Sequence, residues 1–305
     1  MSNYFSHGKL LISGEYVVLD QALALAVPTQ FGQQLRVDKI DEERKLTWES
    51  FTENGECWHA QTFQLKENGC EKKNTRSHES AEKDEIDRYL ILILNKAMQL
   101  NPSFLSQGGF SVKTQLDFDR KWGLGSSSTL ICNIAKWAEV DAFKLSEASF
   151  GGSGYDIAVG MMGGDILYRS PKMWEGFVFN PPFKENLFFV HLNQKQNSRE
   201  GIKTYRSKPK SKKVIDAISQ LTEQMAQCED FDLFQALINK HEKWISELIE
   251  EQPIKEVMFS DYPFSIKSLG AWGGDFVMAC GDGNTRDYFR TKGFHTILSY
   301  TQLIK

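Results

Sequence analysis

Three apolar runs crowd the start of the chain, at 10–12, 16–19 and 22–27, broken by Ser13-Gly14-Glu15 and Asp20-Gln21. Short runs separated by turn-forming residues predict adjacent strands. Polar and apolar side chains then alternate through Gln34, Leu35, Arg36 and Val37, and again through Leu46, Thr47 and Trp48, which predicts strands with one wet face. Between 66 and 88 large apolar side chains almost disappear. Such a segment buries too little surface to offset its ordering entropy, so a mobile loop is expected there. Helical spacing resumes at Tyr89, Leu90, Leu92, Ile93, Leu94, Ala97 and Met98 and stops at Asn101-Pro102.

Further along, a strand is predicted over 110–116. A helix follows, with Leu130, Ile131, Ile134, Ala135 and Ala138 on one face and glycines just before its first turn. Strands are predicted at 165–168, 176–179 and 187–192, amphipathic helices at 214–225 and 231–249, and a closing strand pair at 276–280 and 295–299. Strands and helices come in runs rather than in strict alternation, which predicts an α+β protein with two subdomains rather than a doubly wound sheet.

Composition narrows the function classes. With 305 residues, 41% of them hydrophobic and 25% charged, the chain suits one large soluble domain or two closely joined ones. A net charge of −4 provides no global positive field for nucleic acid or an anionic membrane, so neither is an expected partner. Any phosphorylated partner must be met by a local site. Cys57, Cys70, Cys132, Cys228 and Cys280 are scattered and form no C-x-x-C pair, which points away from disulfides and zinc and toward a reducing, cytoplasmic setting. The start of the chain lacks a basic segment followed by a long apolar core, and no run approaches the roughly 20 apolar residues of a membrane span. The six histidines show no metal-ligand spacing.

The most telling local chemistry is Gly123-Leu124-Gly125-Ser126-Ser127-Ser128, running into the helix at 130–138. A glycine-rich turn lets backbone N–H groups close around an anion at the positive end of a helix, and phosphate is the natural occupant. Ser127 and Ser128 can each act as a helix cap instead, although two glycines and three hydroxyls exceed what a cap needs. No G-x-x-x-x-G-K-[ST] occurs, so the ordinary P-loop route to ATP is excluded.

This turn resembles the G-L-G-S-S phosphate loop of the GHMP kinase superfamily, and three more segments agree with it. His7-Gly8-Lys9-Leu10-Leu11-Ile12-Ser13-Gly14-Glu15-Tyr16, with Ala22-Leu23-Ala24-Leu25-Ala26-Val27-Pro28, resembles the first signature of that family. Lys267-Ser268-Leu269-Gly270-Ala271-Trp272-Gly273-Gly274-Asp275 resembles the third. Gly151-Gly152-Ser153-Gly154-Tyr155-Asp156 resembles the element that delivers the family's active-site aspartate. The resemblance implies the GHMP kinase fold, with a left-handed βαβ ATP-binding subdomain over 1–185 and a ferredoxin-like subdomain over 186–305. It also implies the mevalonate-pathway branch, phosphomevalonate kinase-like or mevalonate kinase-like.

The roles implied by the resemblance follow residue by residue. ATP's phosphates would lie on Gly123, Leu124, Gly125, Ser126, Ser127 and Ser128, with Mg²⁺ near Ser127, while Lys9 and Asp156 would face a small acid or phospho-acid acceptor. Glu15 would order the first hairpin or the nucleotide side, with a plain surface carboxylate as the open alternative. Gly154, Lys267, Gly273, Gly274 and Asp275 would help place the substrates, although a tight inter-strand turn explains the glycines of 270–275 equally well. Lys195, Arg199, Lys203, Arg206, Lys208, Lys210, Lys212 and Lys213 form a basic stretch that can clamp an anionic acceptor or simply stay solvated. Departures from the family pattern are a short interval between Gly125 and Asp156, in which Glu139 and Glu147 are the acidic candidates for magnesium, a Trp272 in place of glycine, and Gln21 where a hairpin glycine is common. The rival readings are diphosphomevalonate decarboxylase, a sugar or homoserine kinase, and a non-catalytic nucleotide-binding relative.

Overall fold

The computed structural model describes residues 1–67, 69–73, 81–194, 198–207, 211–270 and 272–305. Its first elements are β1 (Ser2–Ser13), β2 (Ala24–Ile40), β3 (Lys45–Phe51), β4 (Cys57–Lys66), β5 (Gly69–Lys72), α1 (Ala81–Leu100) and β6 (Gly109–Leu116). Next come α2 (Ser126–Ala138), α3 (Ala142–Ser149), α4 (Tyr155–Met162), β7 (Ile166–Arg169), β8 (Met173–Gly176) and β9 (Leu187–His191). The last are α5 (Ser198–Ser207), α6 (Lys212–Ala226), α7 (Phe231–Ile249), α8 (Ile254–Met258), β10 (Ile266–Ser268), β11 (Phe276–Cys280), α9 (Thr285–Thr291), β12 (Ile297–Ser299) and α10 (Tyr300–Leu303).

These elements form two compact units. One comprises Met1–Gly8, Phe31–Arg120 and Gly125–Met161; the other comprises Lys9–Gln30, Lys121–Leu124 and Met162–Lys305. The sequence suggested one cut after residue 185, whereas the units interleave, because the long strands β1 and β2 each contribute residues to both.

In the first unit the strand order is β5-β4-β3-β6-β2, antiparallel except for the parallel β3–β6 pair. Strict alternation along β3 turns Leu46 and Trp48 inward, where they join Leu35, Val37, Phe63, Leu65 and Val112 in one core. The apolar faces of α1 and α2 close over it through Leu90, Ile93, Leu94 and Ala97, and through Ile131, Ile134, Ala135 and Ala138. Each fully buried aliphatic side chain of this kind contributes about 1.5–3 kcal/mol.

The mobile loop expected over 66–88 is a misreading of part of this unit. Residues 69–72 form β5, and α1 already begins at Ala81; 74–80 lie outside the described residues. Buried polar pairing orders this stretch alongside apolar burial. Asn95 Oδ1 accepts the Cys70 N–H at 2.6 Å, and the buried Asp87 takes His59 at 2.8 Å, Gln61 at 3.0 Å and Lys72 at 2.9 Å. A hydropathy pattern is blind to such a cluster.

In the second unit, β7 pairs with the Ala24-Leu25-Ala26 end of β2, and β8 pairs with β7. A separate antiparallel sheet has the order β10-β11-β9-β12. The two closing strands are therefore not partners of each other. Both pair with β9, whose five residues are all buried, and a strand that is apolar on both faces belongs in the middle of a sheet. The strand expected at 16–19 is a single 3-10 turn, because Tyr16 and Gln21 at its two ends have φ of 62° and 70° and break extended backbone. The strand expected at 176–179 lies earlier, as β8. The predicted helices are present as α6 and α7, started by the side chains of Ser211 and Asp230, which accept the N–H of Val214 and Leu233. Among the described residues no helix is long and apolar enough to cross a membrane.

Candidate active site

In the first unit the turn at 123–128 ends by opening α2. Gly125 is the cap residue, with φ of 91°, a conformation that favours glycine. Neither Ser127 nor Ser128 caps the helix as their position suggested. Both lie inside its first turn, where Ser128 Oγ donates to the Gly125 carbonyl at 2.9 Å and Ser127 is exposed. With no acidic side chain in that turn, the amino end of this helix keeps its positive field toward an anion. The body of α2 is pinned by polar bonds. Thr129 Oγ1 donates to Gln33 Oε1 at 2.8 Å, Asn133 Nδ2 donates to the Gln33 carbonyl at 2.8 Å, and Ser6 Oγ donates to Asn133 Oδ1 at 2.9 Å.

Asp156 occupies the first turn of α4, after three left-handed glycines, Gly151, Gly152 and Gly154, with φ of 70°, 108° and 87°. Two contacts fix α4 against α2. Cys132 Sγ lies 3.8 Å from the Ile157 carbonyl, and a Cβ on Gly160 would lie 2.8 Å from that sulfur. Burial, with Asp156 close by, pushes the Cys132 thiol up to about 12, so it stays protonated and inert.

In the second unit the structure brings together Lys9, Gly123 and Asp275, one residue from each of three widely separated signatures. The Lys9 N–H donates to the Leu124 carbonyl at 2.9 Å, and Lys9 Nζ donates to the Gly123 carbonyl at 3.2 Å. A Cβ at Gly123 would overlap the Asp275 carboxylate, and φ there is 68°, so glycine is required twice over. Trp122 packs edge-on against Phe276 at 5.6 Å, and His191 Nε2 meets the Lys121 carbonyl at 3.2 Å, which seats this stretch on β9 and β11. Asp275 is itself held by its N–H to the Gln194 carbonyl at 2.9 Å. Gly273 is half-buried and Gly274 buried.

Lys267, expected to help place the substrates, and Glu15, expected to order the first hairpin or the nucleotide side, are both enclosed. Lys267 and Glu15 are 0% and 1% exposed and bond each other at 2.5 Å. Lys267 therefore has no surface on which to touch a substrate, and the surface reading of Glu15 is excluded. His241 and Glu242 of α7 complete this cluster, with His241 Nε2 lying 3.3 Å from Glu15 Oε2 and accepting the Gly14 N–H at 3.2 Å. Sequence reasoning missed both. A signal was present, since His241 falls in helical register with the buried Phe234, Leu237, Ile238 and Ile245. Burial lowers the His241 imidazole well below its ordinary range, with Lys267 adding to the effect, and burial raises the Glu15 carboxyl against the pull of Lys267.

Trp272, the departure from the family's glycine, is 2% exposed and donates its N–H to Tyr16 Oη at 3.2 Å. Its neighbour Ala271 lies outside the described residues, as do Lys195, Lys208, Lys210 and the side chain of Arg199 from the basic stretch. The described members Lys203, Arg206, Lys212 and Lys213 are exposed. Of the two acidic magnesium candidates, Glu139 closes the far end of the 13-residue α2, about 18 Å from its start at 1.5 Å per residue, too far to share an ion with Ser127. Glu147 sits on α3. Among the described residues no group of three or more His, Cys, Asp or Glu is arranged to hold a metal.

A large mixed sheet, a second antiparallel sheet and three signatures meeting at a glycine turn define the class: the chain has the GHMP kinase fold. Its sequence matches no family model and no curated protein. Among solved structures it is similar to the mevalonate kinase of Methanococcus jannaschii, at 12% identity and a TM-score of 0.69 over 95% of this chain and 94% of that one. It is also similar to Streptococcus pneumoniae phosphomevalonate kinase in complex with phosphomevalonate and AMPPNP, at 15% identity and a TM-score of 0.65 over 96% of each chain. Lactococcus lactis galactokinase complexed with galactose follows, at 12% identity and a TM-score of 0.62 over 95% of this chain and 87% of that one. At these identities the likeness is one of fold.

Proposed function

We propose that the protein is an ATP-dependent kinase that phosphorylates a small acid of the mevalonate pathway, phosphomevalonate or mevalonate. The observation that carries this reading is the placement of Lys9 Nζ on the Gly123 carbonyl, at one end of a glycine turn whose other end opens α2. Phosphoryl transfer asks little covalent work of a protein and much positioning and charge neutralisation. The amino end of α2 and the N–H groups of the turn would receive the nucleotide's phosphates. Ser127, exposed in the first helical turn, would supply one oxygen to Mg²⁺, which commonly takes only one or two protein oxygens beside phosphate and water. When bound, that ion neutralises charge on the transferred group.

The acceptor oxygen attacks the γ-phosphorus as the bond to the β–γ bridging oxygen breaks, leaving ADP. If the acceptor is a phosphate, its second pKa of about 6 makes it a nucleophile at neutral pH without a base, and Asp156 orients it. If it is a hydroxyl, Asp156 takes its proton and Lys9 lowers the acceptor's effective pKa. The pathway assignment is supported by the fold shared with the mevalonate and phosphomevalonate kinases and by the basic stretch around α5. A coupled ADP-release assay with MgATP and mevalonate, 5-phosphomevalonate, homoserine or galactose tests it. Turnover with either of the first two is expected; turnover with galactose or homoserine alone would overturn the pathway assignment, and nucleotide binding without turnover on any would overturn the kinase reading.

A further inference from the structure

His191 closes β9, is 5% exposed and belongs to none of the four signatures. Two polar contacts fix its ring from opposite sides. The Asn193 N–H points at Nδ1 from 3.3 Å, and the Lys121 carbonyl lies 3.2 Å from Nε2. A backbone N–H can only donate and a carbonyl can only accept, so both contacts are satisfied by one tautomer, with the proton on Nε2. A proton on Nδ1 would set two donors face to face. The Asn193 N–H is aimed by a turn directly after the strand, where Asn193 has φ of 57°, a region asparagine tolerates better than most residues. Its side chain holds that turn by donating to the Gly293 carbonyl at 3.2 Å. Phe276 flanks the imidazole at 5.2 Å, with the Trp122 ring 6.4 Å away.

The end of β9 serves both sides of Gly123. On one side His191 anchors the Lys121 carbonyl, two residues ahead of that glycine. On the other, Leu192 donates its N–H to the Asp275 carbonyl at 2.9 Å, and the Gln194 carbonyl accepts the Asp275 N–H at 2.9 Å. The carboxylate that abuts Gly123 is therefore seated by the same short stretch, 191–194. The Gly123 carbonyl in turn takes Lys9 Nζ. We propose that His191 is a positioning residue for the glycine turn: its Nε2–H ties the Lys121 carbonyl to β9 and so sets where the Gly123 and Leu124 carbonyls meet Lys9. The imidazole is a spacer of fixed length with a donor at one end and an acceptor at the other, and it acts through Lys121. For its effect on nucleotide affinity this inference rests on the proposed function; for the placement of the turn it does not.

The test begins with the tautomer, read in the wild-type full chain from ¹⁵N–¹H correlations of the imidazole, a measurement that depends on no variant folding. A proton on Nε2 with a bare Nδ1 is expected; a proton on Nδ1 overturns the proposal. Two variants then separate the donor from mere filling of space. His191→Gln carries an amide N–H to the place of Nε2, whereas His191→Asn is too short to reach Lys121. Hydrogen exchange of the Lys9 amide, which donates to the Leu124 carbonyl at 2.9 Å, reports the placement of the turn without nucleotide. Its protection is expected to fall about fivefold in His191→Asn, through the loss of one hydrogen bond, and to stay near the wild-type value in His191→Gln. Equal protection in all three proteins, or an equal fall in both variants, overturns the proposal. In turnover, the Michaelis constant for MgATP should rise by a similar factor in His191→Asn while kcat changes less, and glutamine should restore it; a fall in kcat alone overturns the positioning role. Exchange that behaves as expected in a protein that binds no nucleotide would leave the role of His191 standing and remove the kinase reading.

Discussion

Lys9 and Lys267 both open glycine-rich signatures, yet the fold treats them in opposite ways. Lys9 is half-buried with its ammonium on a backbone carbonyl, whereas Lys267 is wholly enclosed and bonded to Glu15 at 2.5 Å. The same split runs through the remaining signature residues. Ser127 is exposed and Asp156 and Asp275 half-buried, while Glu15 lies inside with His241 and Glu242. A buried cation already matched by a carboxylate has no field left to offer an incoming anion, whereas Lys9 is only half-buried. One region is partly exposed, and the other is enclosed and paired within itself.

The largest expected effect that separates the two regions is on stability. Lys267→Met leaves the buried Glu15 without its counter-charge and should cost about 3–5 kcal/mol in urea unfolding. Lys9→Met should cost less than about 1 kcal/mol, and equal costs would break the comparison. The Glu15→Gln, Lys267→Met double variant should recover most of the loss, because removing both charges leaves nothing unpaired.

Next in size is the effect on chemistry. Asp156→Asn should lower kcat roughly 10²-fold with a hydroxyl acceptor such as mevalonate, and far less with a phosphate acceptor that needs no base. Near-wild-type turnover on mevalonate would remove Asp156 from the base role.

A smaller effect is the pH dependence of folding. Glu242 titrates at about 7 in the fold against an ordinary 4.5, since burial favours its neutral form. Its contribution to stability is therefore complete below about pH 4.5 and is lost as pH rises through about 7. Midpoints of urea unfolding across this range should show that slope in the wild type and a flatter one in Glu242→Gln. Smallest is Ser127→Ala, which should leave stability within about 0.5 kcal/mol because the hydroxyl is exposed and caps nothing, while raising the Mg²⁺ concentration needed for turnover. A large loss of stability would place Ser127 in the structural class instead.

Much of the fold was legible where local pattern and tertiary position agree. The helix read at 231–249 is α7, and the strand read at 276–280 is β11, because periodicity there follows a single buried face. The loop expected over 66–88 failed for the opposite reason: β5 and the start of α1 are ordered by Asp87 and Asn95, polar residues whose partners come from other elements. Among site residues, the glycines of 123–128 and 151–154 were legible as turns, while the enclosure of Glu15, Lys267, His241 and Glu242 was not.

From the sequence alone follow the positions of the glycine turns, the helix behind the first of them and the pairing of acidic and basic residue types with those turns. These are consequences of backbone freedom at glycine and of a few neighbouring side chains, so short-range chemistry suffices. Tertiary structure alone decided which lysine faces outward and which is sealed in. Lys267 meets Glu15 across 252 residues of chain, and burial of a charge depends on all the neighbours that the fold assembles around it, however far away they lie in the sequence.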